Sequence, residues 1–398
     1  MNHRNYHWSH ALLSLGLAWA ALLTLAAFTQ AEGTGPATGT VAPAPPALAN
    51  PSFECSVGYV DGDGNDRVPS GWTAIQIDGD PRLHSTRERV YSGECNPSNE
   101  RHVERLEFED SFMVAAQDLE TPPTPGKPFD VAIFQQTAVT PGADYSLSGW
   151  MVSLCGGSAT PSDCPDGVYM AKMLGLDPTG GADPEADSVI WVENRANFVE
   201  ADGVTRIGWQ DLRTSAVAQT DRMTVFVRVR SPFQWHGNHA FADAVSLIRA
   251  PTAAFIEPPA EVSGPQLTLR WSGAQSPDVL AIPGSTHQLL IDVQTRPEGG
   301  EWRDVAVGAP IPGDQGDDQT DFTARCLDAT YEFRIRARAE QPLTDEGGEG
   351  AWPNHRFPGS WSAPVPVRFQ APASTSSSTP PAGDERIYLP LIRAFVEC

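Results

Sequence analysis

Apolar residues recur at every second position through much of this chain, and helical spacing is scarce. Met223, Val225, Val227 and Val229 line one face of a predicted strand. Tyr331, Phe333, Ile335, Ala337 and Ala339 line another, and the alternate positions hold Glu332, Arg334, Arg336 and Arg338. A strand packed on one side and wet on the other needs that alternation, because successive side chains leave a pleated strand on opposite faces. Leu267-Thr-Leu-Arg-Trp271 and Gln288-Leu-Leu-Ile-Asp-Val-Gln294 repeat the pattern. Clusters of Gly, Pro, Asn and Asp punctuate these runs at intervals suited to sandwiches. With 36 prolines and 35 glycines, turns rather than long helices connect the strands. The pattern predicts an all-β fold.

The first residues break the pattern. Arg4 and three histidines precede an apolar run from Ala11 to Phe28, and Thr29, Gln30 and Ala31 offer a small-x-small exit before Glu32. That layout predicts a secretory signal peptide over residues 1–31. The competing reading is an uncleaved anchor, since the run approaches the length of a membrane span. No later segment is apolar enough to cross a bilayer. Residues 32–49 are Gly, Pro, Ala and Thr with almost no large apolar side chain, so they cannot offset their ordering entropy and are expected to form a tether. A Ser/Thr/Pro-rich stretch, residues 370–384, separates a tail, 385–398, from the globular part. The roughly 320 residues between the tethers suggest about two domains. Phe241-Ala-Asp-Ala-Val-Ser-Leu-Ile248 has the pattern of a closing strand, and Ala250 to Pro259 that of a short stiff linker. The boundaries are therefore set at 50–249 and 252–369.

A formal charge of −23, from 50 acidic and 27 basic residues, repels nucleic acid and anionic lipid, and no basic block relieves it. The same balance suits an exported protein and cation binding. Six cysteines, in an oxidising compartment, point to disulfides. Cys155 and Cys164 bracket a Gly/Ser/Pro/Asp loop and form one candidate pair. Cys55 with Cys95 would close the start of the first domain, and Cys326 with Cys398 remains by elimination. None has the paired spacing of a zinc site.

In the first domain the opening Asn50-Pro-Ser-Phe-Glu54, the close around Asp243, Gly71-Trp72 and the run from Phe134 through Pro141-Gly142 to Trp150 occur in a telling order. So do Leu176-Asp-Pro-Thr-Gly-Gly-Ala-Asp-Pro184 with Val189-Ile-Trp191, and Trp235 to Asp243. Together they resemble galactose-binding-like jelly-roll carbohydrate-binding modules of bacterial surface proteins. The resemblance implies carbohydrate binding at the cell surface or after secretion, and a structural calcium ion held by acidic groups of the first and last strands. By position that carries over to Glu54 and Asp243, whose carboxylates suit a hard cation. The bland alternative is a solvated carboxylate and a turn former. Asp61-Gly-Asp-Gly-Asn-Asp66 also has the look of a calcium loop, but its twelfth position is Trp72, so a solvated turn is favoured. Carbohydrate sites set flat aromatic faces against sugar rings. The candidates are Trp72, Tyr169, Trp191, Trp209 and Trp235, with Gln135, Gln136 and Asn194 as polar partners; core packing is the alternative for each. Trp150, inside an alternating strand, is expected in the core. His236 and His239 are expected to be solvated.

The second domain carries Leu267 to Trp271, Glu301-Trp302 after a Gly-Gly turn, Tyr331 to Arg338, and Gly359-Ser-Trp-Ser362. In this order the motifs resemble a fibronectin type III domain. The resemblance implies an immunoglobulin-like sandwich with Trp271 as its buried tryptophan and Tyr331 bonding back to the chain. Long acidic loops and Cys326 depart from that pattern. The tail Arg386-Ile-Tyr-Leu-Pro-Leu-Ile392 resembles a short apolar motif of exported bacterial proteins, for sorting or docking, or else packs back on the sandwich.

No His-Glu-x-x-His, Gly-x-Ser-x-Gly or Gly-x-x-x-x-Gly-Lys motif is present. Glu107 and Glu109 are one acidic pair among many that chance provides. The reading is a non-catalytic exported protein that binds a polysaccharide or glycan. The alternatives are a structural or adhesive surface protein with protein partners and, less favoured, a glycoside hydrolase.

Overall fold

The computed structural model describes residues 47–62, 66–85, 110–115, 128–154, 170–195, 209–231, 239–281, 286–340 and 356–372. The expected signal, most of the N-terminal tether, the 385–398 tail, Tyr169, Trp235, His236, Glu107, Glu109, Cys95, Cys155, Cys164 and Cys398 lie outside them. All described residues belong to one contact unit, Pro43–Cys398.

The chain is all-β. A ribbon of β1 (Tyr59–Asp61) and β2 (Arg67–Pro69) comes first. Then follow β3 (Thr73–Asp78), β4 (Arg82–Ser85), β5 (Phe112–Ala115), β6 (Phe129–Ala138) and β7 (Asp144–Leu154). After them come β8 (Ala171–Asp177), β9 (Ile190–Asn194), β10 (Gln210–Val217), β11 (Arg222–Ser231) and β12 (His239–Arg249). They form two five-stranded sheets, ordered β3-β6-β11-β8-β9 and β10-β7-β12-β5-β4. The inward residues of both close one core, including Val225 and Val227 of β11, Ile133 of β6, Leu147 of β7 and Ala242 of β12. The expected alternation of Met223, Val225, Val227 and Val229 is what places β11 at its centre.

The second pair of sheets starts almost at once. β13 (Thr252–Phe255) pairs with β15 (Gln266–Ala274), so the stretch expected to be a linker is mostly strand, leaving Ala250 and Pro251 between the sandwiches. β14 (Glu261–Ser263), a single helical turn α1 (Pro277–Leu280), β16 (Gln288–Pro297), β17 (Arg303–Ile311), β18 (Gln315–Thr323), β19 (Ala329–Glu340), β20 (Arg356–Pro358) and β21 (Val365–Gln370) complete the fold. The sheet orders are β13-β15-β18 and β14-β21-β19-β16-β17, with β20 also on β19. Trp271, fully buried, packs with Phe333, Ile335 and Phe369. Tyr331 Oη accepts from Cys326 N at 3.1 Å, and in the first sandwich Tyr145 Oη accepts from Thr140 N at 2.9 Å. Each tyrosine thereby pins the turn before its strand.

The two sandwiches are locked at their junction. Ser276 caps α1 by accepting from Asp278 N and Val279 N, and Asp278 in turn takes Arg249 N at 2.7 Å and Arg249 Nη2 at 2.6 Å. Ser360 donates its N and Oγ to Asp144 at 2.6 and 2.7 Å. Ile248, Val279, Ala339 and Phe357 pack behind these bonds. Burial raises the Asp144 carboxyl above its ordinary value.

Trp150 departs from expectation. Both faces of β7 are apolar: Tyr145, Leu147 and Met151 point inward, while Trp150 and Val152 stand on the outer side with Met113, Trp209, Phe241 and Ala244. An alternating pattern cannot tell a core face from an outer face that is also covered.

Candidate functional site

The outer face of β3-β6-β11-β8-β9 brings aromatic side chains into one row. Antiparallel register sets Thr73 opposite Phe134, Phe134 opposite Phe226, Phe226 opposite Gly175, and Gly175 opposite Trp191. Directly opposed residues share a face, so this row crosses the whole sheet. Phe226 is fully buried between its neighbours, its ring centroid 5.8 Å from Phe134 and 5.7 Å from Trp191. Phe134 and Trp191 stay partly open to solvent. Gly175 is required here: a Cβ would come within 2.6 Å of Trp191 Cζ3, so only glycine lets the indole lie on the strand.

Charged groups frame the row. Arg228, one step along β11, lies 5.5 Å from the Trp191 ring centroid and holds Asp130 through two bonds, of 2.7 and 2.6 Å. That carboxylate keeps the Arg228 pKa raised. Arg228 Nη1 also donates to Pro184 O at 3.1 Å, and Gln136 Nε2 donates to Gly180 O at 2.6 Å. These two bonds strap the connection between β8 and β9 over the sheet, with Asp177 turning it by accepting from Thr179 N and Oγ1. Glu193 pairs with Arg195 and, at 3.7 Å, with Arg230. The result is a half-open aromatic floor with exposed Gln136, Glu193 and Arg230 at its margins.

The sequence candidates divide sharply. Trp191 belongs to this face, and so does Gln136. Trp72 does not: it is 4% exposed, stacks on Phe53 at 5.3 Å and donates Nε1 to Ala49 O at 2.9 Å. Trp209 is 8% exposed and packs on the outside of the opposite sheet. Both are corrected to packing residues, because the entering chain with Phe53 covers Trp72 and neighbouring strands cover Trp209. Gln135 is buried and pins the entering chain through Ala49 and Gly71. Asn194 lies opposite Lys172 on the inward side. Lys172 is itself in the core, with Nζ 3.0 Å from Ser153 Oγ, and burial lowers its pKa to about 7. His239 stands half-buried on β12 beside Phe241. The pattern reading missed Phe134, Phe226, Arg228 and Asp130. The signal was available in β11, where Thr224, Phe226 and Arg228 alternate with the valines.

Glu54 and Asp243 are both buried. Glu54 Oε1 accepts from Asp110 N at 3.0 Å, just before β5, and Asp243 lies on β12, the next strand. The turn carrying Glu54 meets β12 through Val245 N to Pro51 O, 3.0 Å. Asp243 Oδ1 also accepts from Ala244 N, and Phe53 and Ala244 both have positive φ, 55° and 52°. The oxygen-only character fits a hard cation. Among the described residues, however, no three His, Cys, Asp or Glu side chains surround one point. In the Asp61 to Asp66 loop, Asp66 is engaged by Leu83 N and Gln76, and Asp61 by Arg67.

Cys55 and Cys326 are both disulfide-bonded. No helix among the described residues is long and apolar enough to cross a membrane.

No family model and no curated protein matches the sequence. Among solved structures, the chain is similar to TmCBM61 in complex with β-1,4-galactotriose: 16% identity, 51% of this chain and 97% of that one, TM-score 0.29. It is similar to the K3 adhesin domain of Lys-gingipain from Porphyromonas gingivalis at 16% identity, covering 45% and 93%, TM-score 0.27. A family 16 carbohydrate-binding module matches at 14% identity, covering 35% and 77%, TM-score 0.19.

Proposed function

We propose that this is an exported, non-catalytic protein that binds a polysaccharide or glycan on the outer face of β3-β6-β11-β8-β9. One observation carries the reading: Trp191 and Phe134 are partly open on a floor made rigid by Phe226, Gly175 and the Arg228–Asp130 pair. Sugar rings present apolar C–H faces that pack on such rings, while the polar margin meets hydroxyls. On this face Asp130 is tied to Arg228, Glu193 to Arg195 and Arg230, and Asp177 to Thr179, engagements that support binding over acid–base chemistry. The first sandwich would be a jelly-roll module, and the second a fibronectin type III-like spacer with Trp271 and Tyr331 in the expected roles. Glycan-array binding with tryptophan fluorescence tests the idea. A polysaccharide should bind and shift the emission, and no sugar bound at millimolar concentration would sink it.

A structural or adhesive role with surface-protein partners is the second reading, favoured by the locked junction at Asp144–Ser360 and Arg249–Asp278. Recovery of one protein partner from cell envelope, insensitive to competing sugar, would favour it. Calcium belongs to the first reading: Glu54 and Asp243 would supply carboxylates and backbone carbonyls the rest, cross-linking the Glu54 turn to β12. Added calcium should raise the melting temperature and a chelator lower it; an unchanged melt, with Glu54→Gln and Asp243→Asn also inert to calcium, excludes the ion.

A further inference from the structure

The chain holds 50 acidic against 27 basic residues and no basic run, yet register gathers arginines where the two sandwiches meet. β10 of the first sandwich lies against β20 of the second. Arg213 and Arg356 thereby reach Arg336 and Arg338, which stand on the wet face of β19. Three carboxylates thread these four side chains in one line. Asp211 Oδ2 lies 3.3 Å from Arg213 Nη1 and 3.9 Å from Arg356 Nε. Glu340 Oε1 lies 2.9 Å from Arg356 Nε, and its other oxygen meets Arg338. Asp292 takes Arg338 at 3.3 Å and Arg336 at 3.0 Å. Each carboxylate is shared by two arginines, and an arginine stands at both ends of the line. The cluster is positive in a chain of charge −23.

The acids lie deeper than the cations they hold. Asp211 is 11% exposed, against 37% for Arg213 and 31% for Arg356. Arg213 meets Asp211 through Nη1, and Arg356 meets both of its carboxylates through Nε. A guanidinium carries five N–H donors in a rigid fork. The remaining donors of these two arginines have no acceptor among the described residues. The acids therefore fix the forks from beneath and leave their outer N–H groups to solvent. Crowding also leaves a mark on Arg213. Burial lowers its pKa, and like charge from Arg356, Arg338 and Arg336 lowers it further against the pull of Asp211. An oxyanion arriving from solvent relieves that repulsion and accepts two parallel N–H bonds from a fork, which suits carboxylate and sulfate groups.

We infer that Arg213 and Arg356, backed by Arg338 and Arg336, form a second binding site for an acidic polysaccharide that carries carboxylate or sulfate groups. The choice of a glycan rests on the function proposed above, whereas the choice of an anion rests on the arginines. Neither sandwich holds the site alone, since Arg213 comes from the first and the other three from the second. The bonds that lock the junction, Asp144 to Ser360 and Arg249 to Asp278, thus also keep this site assembled.

Calorimetric titration of the full chain at low salt, with polygalacturonate, dextran sulfate, neutral dextran and polyglutamate, tests the site. At least one of the two acidic polysaccharides should bind, less tightly as salt is added, and neutral dextran should not. An Arg213→Gln/Arg356→Gln variant should lose at least about tenfold in affinity, as expected when charged hydrogen bonds are removed. Asp211→Asn, which takes away a competing negative charge, should tighten binding at least about threefold, a gain that no folding defect produces. Trp191→Ala should leave the acidic polymer bound as before. No acidic polysaccharide bound, or equal binding by the double variant, overturns the site while leaving the aromatic face to its own test. An Asp211→Asn chain that binds no tighter than wild type overturns it too. Loss of the acidic polymer with Trp191→Ala moves that ligand to the first face, and polyglutamate bound as tightly as the polysaccharides makes the partner an acidic protein; either result ends the proposal.

Discussion

In the first sandwich Trp191 meets one arginine and lies on a glycine, whereas in the second Trp302 and Trp361 each meet two arginines. Arg296 and Arg334 lie 4.4 and 4.2 Å from the Trp302 ring, and Arg334 and Arg336 both 4.5 Å from that of Trp361. This ladder stands on the wet face of β16 and β19, where Glu332 pairs with Arg296 and Asp292 with Arg336. Each of its rings already meets two guanidiniums, so it stiffens the sheet and offers less to a ligand. On the first sandwich a single arginine, paired with Asp130, meets the ring, and the indole stays partly open. The first sandwich also encloses an amine, Lys172, in its core. Counting tryptophans therefore says little about binding; what matters is whether a cation has already taken the ring.

The comparison breaks most visibly at Asp130. Asp130→Ala strands a buried guanidinium, and removing one partner of such a pair costs about 3–5 kcal/mol. Urea denaturation should register that loss, and a change below about 1 kcal/mol, ordinary for a surface pair, would mean the pair does not organise the face. Lys172 provides the next effect. Its folded pKa, about 7, lies below the ordinary 10.5, so between these values the unfolded chain binds more protons. Stability should then rise with pH across that window by up to about 1.4 kcal/mol per pH unit, and Lys172→Met should flatten the slope. A wild-type profile flat from pH 7 to 10 contradicts a neutral buried amine.

Binding separates the two faces more directly. Trp191→Ala should weaken the glycan that the array identifies at least tenfold, about 1.4 kcal/mol, while Trp302→Ala leaves its affinity unchanged. If both substitutions weaken it alike, the ladder belongs to the site and the contrast fails. Arg334→Gln is expected to act on stability alone. Exposed cation–π contacts contribute about 0.5–1 kcal/mol each, so losing two should lower stability by about 1–2 kcal/mol without touching glycan affinity.

How far the sequence carried can be judged residue by residue. Trp271 and Tyr331 were legible because an alternating strand announces which side is buried. Trp72 was not, since a tryptophan after a Gly turn has the same local signature whether it stacks on Phe53 or on a ligand. Trp209 failed for a related reason: its cover comes from Met113, Val152 and Phe241 on other strands.

What the sequence determined alone was the strand content and the inward face of most strands, because the pleat makes side-chain direction a property of neighbouring residues. It also set the absence of charge on β11's core side and the tight turns at Gly positions. Which rings remain open was decided only in three dimensions. Phe134, Gly175, Trp191 and Phe226 belong to four strands that meet through register, and no local pattern encodes what a distant strand lays across an indole.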